Sequence, residues 1–305
     1  RLRGVLDAFG AASIGEVGDE HSPPIMADYT EAGKRLHMAY SFSLLTSRSA
    51  PAHLRGEVDA LEREIARTGG WGCWALSNHD VPRIATRWSS TGQADPRQAR
   101  MLLSMLLSLR GSVCLYQGEE LGLPEAEVPF ERLQDPYGMA FWPEFKGRDG
   151  CRTPMPWQAL DGQGGFSPVE PWLPVSAAQR ALAVDVQEAD PDSTLHAARA
   201  LLAWRRKSPV IRAGDLRFLD TEHADVLIFE RALPATDAAT AERVLLAFNL
   251  SENAVSLPMP AGWSSATIAI DYDAPLSGAR IDADAARLVL SPFGAFCSQA
   301  SRTEH

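Results

Sequence analysis

The sequence predicts an α/β chain: a parallel sheet with helices between its strands over residues 1–210, followed by a small antiparallel β-sandwich over residues 211–305. Three observations predict it. Strand-like apolar runs alternate with helical ones as far as residue 116, a pattern that implies right-handed crossovers and a parallel sheet. The strand-like runs give way to polar residues at their ends, as strands of a closed parallel barrel do where the reactive side chains sit. Beyond Ile211 the helical spacing is replaced by short β-type runs between turns.

In chain order, residues 1–9 read as an amphipathic helix with Leu2, Val5, Leu6 and Phe9 on one face, closed by Gly10. Residues 11–17 form a strand of small and β-branched residues that carries Glu16 at its end. A proline-containing loop at 21–25 leads to a strand-like run over 36–45. Pro51 opens a helix with Leu54, Val58, Leu61 and Ile65 at helical spacing, and Gly69-Gly70 ends it. The apolar, aromatic run from Trp71 to Leu76 is a buried strand that stops at Ser77-Asn78-His79-Asp80.

Asp95-Pro96 supplies a cap and a first-turn proline for a helix over 99–109, apolar nearly all round and so buried, which Gly111 ends. A fourth strand, 112–116, precedes Gln117-Gly118-Glu119-Glu120. Residues 121–174 are rich in Pro, Gly and aromatics, and too long for a mere connection, which predicts a functional loop over a site. Asp192 or Ser193 caps a helix over 195–207 that Pro209 stops. The β-type runs of the last third are 226–230, 244–249, 266–270 and 287–290. Four parallel strands are visible, and a closed barrel of this kind needs about eight.

A net charge of −10 argues against a nucleic-acid surface, because neutralising phosphates takes clustered Lys and Arg. Arg205-Arg206-Lys207 is the one such cluster, and it falls where a helix C-terminus wants cations. No window approaches a membrane span, and no signal-peptide pattern opens the chain. Cys73, Cys114, Cys151 and Cys297 show neither Cys-x-x-Cys nor zinc spacing, so they read as reduced, buried thiols of a cytoplasmic protein, with the periplasm as alternative. No cluster of hard oxygen ligands predicts a metal, and the oligomeric state is open.

Glu16 and Asp80 each end a parallel strand, so both can point into one mouth. Acids so placed suit glycoside hydrolysis, where one protonates the leaving oxygen and others meet the charge that develops at the sugar carbon. Either acid alone also fits an exposed loop carboxylate. Arg148 can fix a carboxylate or a sugar hydroxyl with its planar fork, or anchor its loop by pairing with Asp149 or another acid. Trp263 and Tyr272 are the aromatic platforms a glycan-binding sandwich would use, with core packing as the alternative.

Taken together, Gly15-Glu16-Val17, Ser77-Asn78-His79-Asp80, Tyr116-Gln117-Gly118-Glu119-Glu120-Leu121-Gly122, Asp135-Pro136-Tyr137-Gly138 and the stretch from Gly147 to Trp157 resemble the α-amylase superfamily of glycoside hydrolases. The resemblance is to its α-glucosidase and oligo-1,6-glucosidase branch and runs over nearly the whole chain. It implies the C-terminal half of a (β/α)8 barrel, strands five to eight, ahead of the sandwich. By this resemblance Glu16 is the general acid/base, and Asp80 is the acid that grips the 2- and 3-hydroxyls of the glucose being cleaved. His79 and Arg148 bind the same sugar, and Phe42 is a wall on the leaving-group side, although a core phenylalanine is the commoner finding.

The implied activity is that of a retaining, exo-acting α-glucosidase on short α-glucosides, with no cofactor and no metal within these residues. The family's nucleophile-bearing Gly-Phe-Arg-x-x-Asp type of segment does not occur in the chain. A retaining mechanism needs two carboxyls about 5–5.5 Å apart, so the chain by itself is expected to be inactive, and the open strand edges and apolar faces of half a barrel make it expected to associate. A transglycosylase, sucrose isomerase or oligo-1,6-glucosidase of the same superfamily is the alternative. Val81 leans towards α-1,4 substrates. From another class, a non-catalytic transporter-associated scaffold would tend to lose the acids kept here.

Overall fold

The structure, a computed structural model, describes residues 1–19, 21–235, 241–263 and 274–300. The chain divides into two compact units, Arg1–Ala75 with Ser104–Cys114 and Leu201–His305, and Leu76–Leu103 with Leu115–Ala200.

The first unit opens with helix α1, Leu2–Ala8, then strand β1, Ile14–Glu16, helix α2, Ser22–Tyr29, strand β2, Met38–Tyr40, helix α3, Pro51–Thr68, and strand β3, Gly72–Trp74. Its apolar α1 face is not covered: Leu2, Val5 and Phe9 are all exposed. Helix α3 forms as its spacing predicts. Leu54, Val58, Leu61 and Ile65 are each 5% exposed or less, and each such buried side chain stabilises by roughly 1.5–3 kcal/mol. Gly69 ends the helix at φ +66 with its N–H on the Ile65 carbonyl, a left-handed stop that a Cβ would disfavour.

Two expectations are corrected here. The proline-containing segment at 21–25 is the first turn of α2, because prolines at the first helical positions lack only N–H groups that would be unpaired anyway. The strand-like run over 36–45 contributes three residues, since the chain turns after Tyr40 and the Leu45 N–H closes on the Phe42 carbonyl.

In the second unit the chain passes the loop 76–83, the short helix α4, Ile84–Arg87, and enters α5, Pro96–Ser108, whose last residues belong to the first unit. Asp95 caps α5 through its Oδ1, which accepts the Arg97 N–H at 2.8 Å. Strand β4, Ser112–Val113, completes a sheet of order β1-β2-β3-β4 in which all neighbours are parallel. Residues 121–174 hold one short helix, α6, Pro136–Ala140, and are otherwise single turns and loop.

Helices α7, Ala177–Arg180, and α8, Val184–Glu188, precede α9, Thr194–Lys207. Of the two candidate caps of α9, Ser193 does the work, with its Oγ accepting the His196 N–H at 3.3 Å. Pro209 stops α9 and at once opens α10, Pro209–Ala213.

Among the described residues the first unit continues with β5, Asp215–Phe218, β6, Val226–Leu233, β7, Glu242–Asn249, β8, Val255–Pro258, β9, Ala279–Asp282, β10, Arg287–Leu290, and β11, Ala295–Gln299. They form two antiparallel sheets, β11-β7-β6-β5 and β8-β10-β9. Val226, Ile228, Leu245 and Ala247 of the larger sheet share one apolar cluster with Val255, Leu257, Leu288 and Leu290 of the smaller. Strand β6 is buried on both faces, and α3 and α10 pack against it.

Trp263 lies in the shared cluster, 4% exposed, with its indole N–H on Glu230 Oε2 at 3.0 Å, so its role is core packing and a sugar platform is excluded. The predicted run over 266–270 and Tyr272 lie outside the described residues. Among the described residues no helix is long and apolar enough to cross a membrane.

Candidate active site

The segment that follows β3 is built to present two side chains. Leu76, Ser77 and Asn78 are buried, while His79 and Asp80 are exposed. The change of direction comes from Asn78, whose Oδ1 accepts the Asp80 N–H at 2.9 Å in an Asx turn. Ser77 Oγ accepts the Ile84 N–H at 3.0 Å and closes the loop at its base. Arg87 donates to the carbonyls of Leu76 and Pro82, and the Arg83 N–H donates to Glu125 Oε2 at 2.7 Å. The loop is therefore tied at both ends.

Asp80 Oδ1 accepts from two guanidinium groups, Arg148 Nη1 at 3.1 Å and Arg152 Nη2 at 2.8 Å. Arg152 also donates from Nε to the His79 carbonyl at 2.7 Å. Both arginines use the same carboxylate oxygen, which leaves Oδ2 without a donor among the described residues. His79 Nε2 is 3.6 Å from Asp80 Oδ1, near but beyond a hydrogen bond.

Arg148 is itself held from behind. Asp135 accepts its Nε at 2.8 Å, its Nη2 at 3.1 Å and its backbone N–H at 2.9 Å. These bonds from Arg148 hold the Asp135 carboxyl down at about 2, and Arg148 is pushed up in return. Its guanidinium also lies 5.7 Å from the centre of the Tyr137 ring, which stacks on Phe141. Arg148 thus anchors its loop and also reaches Asp80. Its anchor is Asp135, while Asp149 accepts the backbone N–H groups of Gln134 and Asp135.

Below the loop lie acids and bases that burial desolvates. Burial raises both Glu119 and Glu125 to about 7 and lowers Arg87 to about 10. Glu119 Oε2 accepts the Tyr116 N–H at 2.9 Å, and its Oε1 has no hydrogen-bond partner among the described residues.

The structure thus brings His79, Asp80 and Arg148 together in the second unit. Glu16 and Phe42 belong to the first, at the ends of neighbouring parallel strands. Glu16 is the last residue of β1, exposed and paired in register with Tyr40. Phe42 is half-buried two residues past β2, its ring 5.3 Å from that of Tyr40 and packed over Gly18, where an added Cβ would come within 3.1 Å.

Sequence reasoning missed Asp135 and Arg152. The signal for the first was present, since Asp135-Pro136 repeats the Asp95-Pro96 pattern and caps α6, Oδ1 accepting the Tyr137 N–H at 3.2 Å. Arg152 follows Arg148 by one helical turn through residues 149–151, which brings both guanidinium groups to Asp80. Among the described residues no group of three or more His, Cys, Asp or Glu side chains is placed to hold a metal ion.

Comparison with known proteins gives a consistent set of relatives. The family described as "Alpha amylase, catalytic domain" matches residues 6–214. A probable alpha-glucosidase of Rhizobium meliloti (strain 1021) is 45% identical over 265 residues, which are 85% of this chain and 46% of that protein. An oligo-1,6-glucosidase of Heyndrickxia coagulans is 27% identical over 294 residues, 85% of this chain and 51% of that protein. Among solved structures, the alpha-glucosyl transfer enzyme XgtA superposes with a TM-score of 0.88 at 47% identity, covering 99% of this chain and 53% of that one. The chain spans about half the length of the curated relatives it matches.

Proposed function

The chain belongs to the alpha-amylase family, and from that membership we propose that it is part of a retaining, exo-acting α-glucosidase that removes terminal glucose from short, maltose-type α-glucosides. Residues 1–210 are then the second half of a (β/α)8 barrel with its site loop at 121–174, and residues 211–305 are a β-sandwich domain. The carboxylate that attacks the anomeric carbon lies, on this reading, outside these 305 residues.

Glu16 protonates the departing glycosidic oxygen and then, as a carboxylate, takes a proton from the water that releases the sugar. The observation that carries the reading is Asp80. Two arginines hold its Oδ1, so Oδ2 is fixed in direction and accepts a sugar hydroxyl, in an arrangement that costs little reorganisation when the ring distorts. His79 and Arg148 donate to the same sugar, and Phe42 walls the leaving-group side. Four free thiols suit a reducing compartment such as the cytoplasm.

A second reading is transfer in place of hydrolysis, favoured by the 47% identity to an alpha-glucosyl transfer enzyme. One experiment tests both. The complete polypeptide carrying this chain is assayed on p-nitrophenyl α-glucoside and maltose, beside Glu16→Gln and Asp80→Asn. We expect each variant to lose roughly a hundredfold or more in kcat/KM. Free glucose as the main product supports hydrolysis, while longer glucosides support transfer. Glucose release by Glu16→Gln at the wild-type rate from maltose would overturn the acid/base assignment.

A further inference from the structure

Two of the four free cysteines touch. Cys73 lies in β3, wholly buried, and Cys114 lies one residue past β4, half-buried. The Cys114 N–H donates to the Trp74 carbonyl at 2.8 Å and so extends the parallel ladder beyond the strand. Cys73 is in register with Ser112, and Cys114, two residues along, points to the same face. The two sulfurs stand 3.6 Å apart, one thiol donating to the other.

That hydrogen bond makes the pair unequal. It pushes the Cys114 thiol down and the Cys73 thiol up, with burial adding to the rise at Cys73. Arg205, which donates to the carbonyls of Leu107, Leu109 and Gly111, adds positive charge on the Cys73 side and offsets only part of that rise. The half-buried thiol is therefore the one poised as a thiolate, and thiolate character with access is what makes a cysteine react. The other two cysteines lack the thiolate character, and Cys151 lacks the access as well. Burial pushes Cys151 up to about 12 while its thiol donates to the Arg148 carbonyl at 3.0 Å, and burial pushes Cys297 well up.

We propose that Cys73 and Cys114 form an oxidation site, a dithiol that a hydroperoxide converts to an intramolecular disulfide. The Cys114 thiolate attacks the outer peroxide oxygen, the O–O bond breaks, and the other oxygen takes up a proton and leaves as water or an alcohol. Cys114 is then a sulfenic acid. The Cys73 sulfur attacks it, the S–O bond breaks, and the departing oxygen takes the Cys73 proton and leaves as water. The two thiols give up two electrons and the peroxide receives them. The sulfurs have about 1.5 Å to close before they reach bonding distance. The inference is independent of the glycosidase reading.

The test exposes the complete folded polypeptide carrying this chain to hydrogen peroxide, denatures it, blocks the remaining thiols by alkylation and maps the peptides. The expected product is a Cys73–Cys114 cross-link that lowers the mass by two hydrogen atoms, reverts with a dithiol reductant and leaves Cys151 and Cys297 alkylated. In Cys73→Ser the reaction stops at a Cys114 sulfenic acid that a cyclic 1,3-dione traps, and in Cys114→Ser residue Cys73 stays reduced. The proposal is overturned if Cys151 or Cys297 is consumed before the pair. It is equally overturned if the pair goes to sulfinic acid without a cross-link, or stays reduced at a peroxide excess that oxidises the denatured chain. Should either variant fail to fold, the wild-type peptide map alone decides.

Discussion

The Asp135 carboxylate, fully shielded from solvent, takes three hydrogen bonds from Arg148, two from the guanidinium and one from the backbone. The bonds hold its folded-state value at about 2, below that of an unfolded aspartate near 3.9. Its contribution to stability is thus complete above about pH 4 and is lost as the pH falls through about 2. Asp135→Asn removes the charge and two of the acceptor sites. We predict a loss of about 1–3 kcal/mol at pH 7, shrinking as the pH approaches 2. Urea unfolding at pH 7, 4 and 2.5 measures it. An equal difference at all three would show that the carboxylate's charge plays no part.

Glu119 gives the opposite sign. Burial raises its folded value to about 7, above the roughly 4.3 of an unfolded glutamate, so the folded chain binds the extra proton between those limits. Its share of stability is complete below about pH 4 and lost as the pH rises through 7. Glutamine stands in for the protonated acid. We predict that Glu119→Gln matches the wild type at pH 4 and is the more stable of the two at pH 8. Glu125, raised to the same value by the same cause, keeps part of the wild-type slope in the variant. A Glu119→Gln protein less stable than wild type at both pH values would refute the burial argument.

The backbone of this fold was more legible than its polar interior. Local rules sufficed for α3, α5 and α9, where apolar spacing, a first-turn proline or cap, and a stop signal all agree. They failed at Pro23-Pro24, where two prolines read as a loop yet open α2. They also failed at β5, β8, β9 and β11, which are only four or five residues long and owe their strand state to partners distant in sequence. In the site, Asp80 and His79 stood out because a strand stops at them. Asp135 did not, because an Asp-Pro cap explains the residue locally and nothing local shows that Arg148 turns back to it. The Cys73–Cys114 contact joins positions 41 apart, and no spacing rule reaches that far.

Arg231 is wholly buried and donates to carbonyls alone: Ser108 at 2.5 Å, Ile211 and Gly214 at 2.6 Å, and Asp215 at 3.3 Å. Desolvation pushes it down to about 9. The residue joins the end of α5 to the turn between α10 and β5, supplying donors to carbonyls at the end of one helix and beyond the other. Arg231→Met keeps most of the volume and leaves those oxygens orphaned. We predict a loss of about 3 kcal/mol or more, read as a lower urea midpoint, with Arg217→Met on the exposed side of β5 as the near-neutral comparison. Equal midpoints for the two variants would mean that water replaces the guanidinium at no cost.

Gly147 connects backbone conformation to the site. Its φ is +79, and a Cβ built on it would lie 2.8 Å from the Gly138 Cα and 3.0 Å from the Gly138 nitrogen, atoms that no side-chain rotation can move aside. Gly138 meets the same crowding in reverse, with the Lys146 carbonyl oxygen 2.7 Å from its would-be Cβ. This close passage of two backbones sets the Arg148 N–H on Asp135 Oδ2 and so aims the guanidinium at Asp80. Gly147→Ala adds about 1 kcal/mol or more of backbone strain and forces the two strands of the loop apart. The displacement falls first on Arg148. We therefore predict that Gly147→Ala lowers the thermal midpoint and, on the α-glucosidase reading, raises KM for p-nitrophenyl α-glucoside several-fold. Gly10→Ala separates strain from displacement, since Gly10 has a similar φ of +62 but open space where the Cβ would go. It should cost stability alone. If Gly10→Ala raised KM as much as Gly147→Ala, the effect would be general loosening, and the Gly138–Gly147 contact would have no special hold on the arginine.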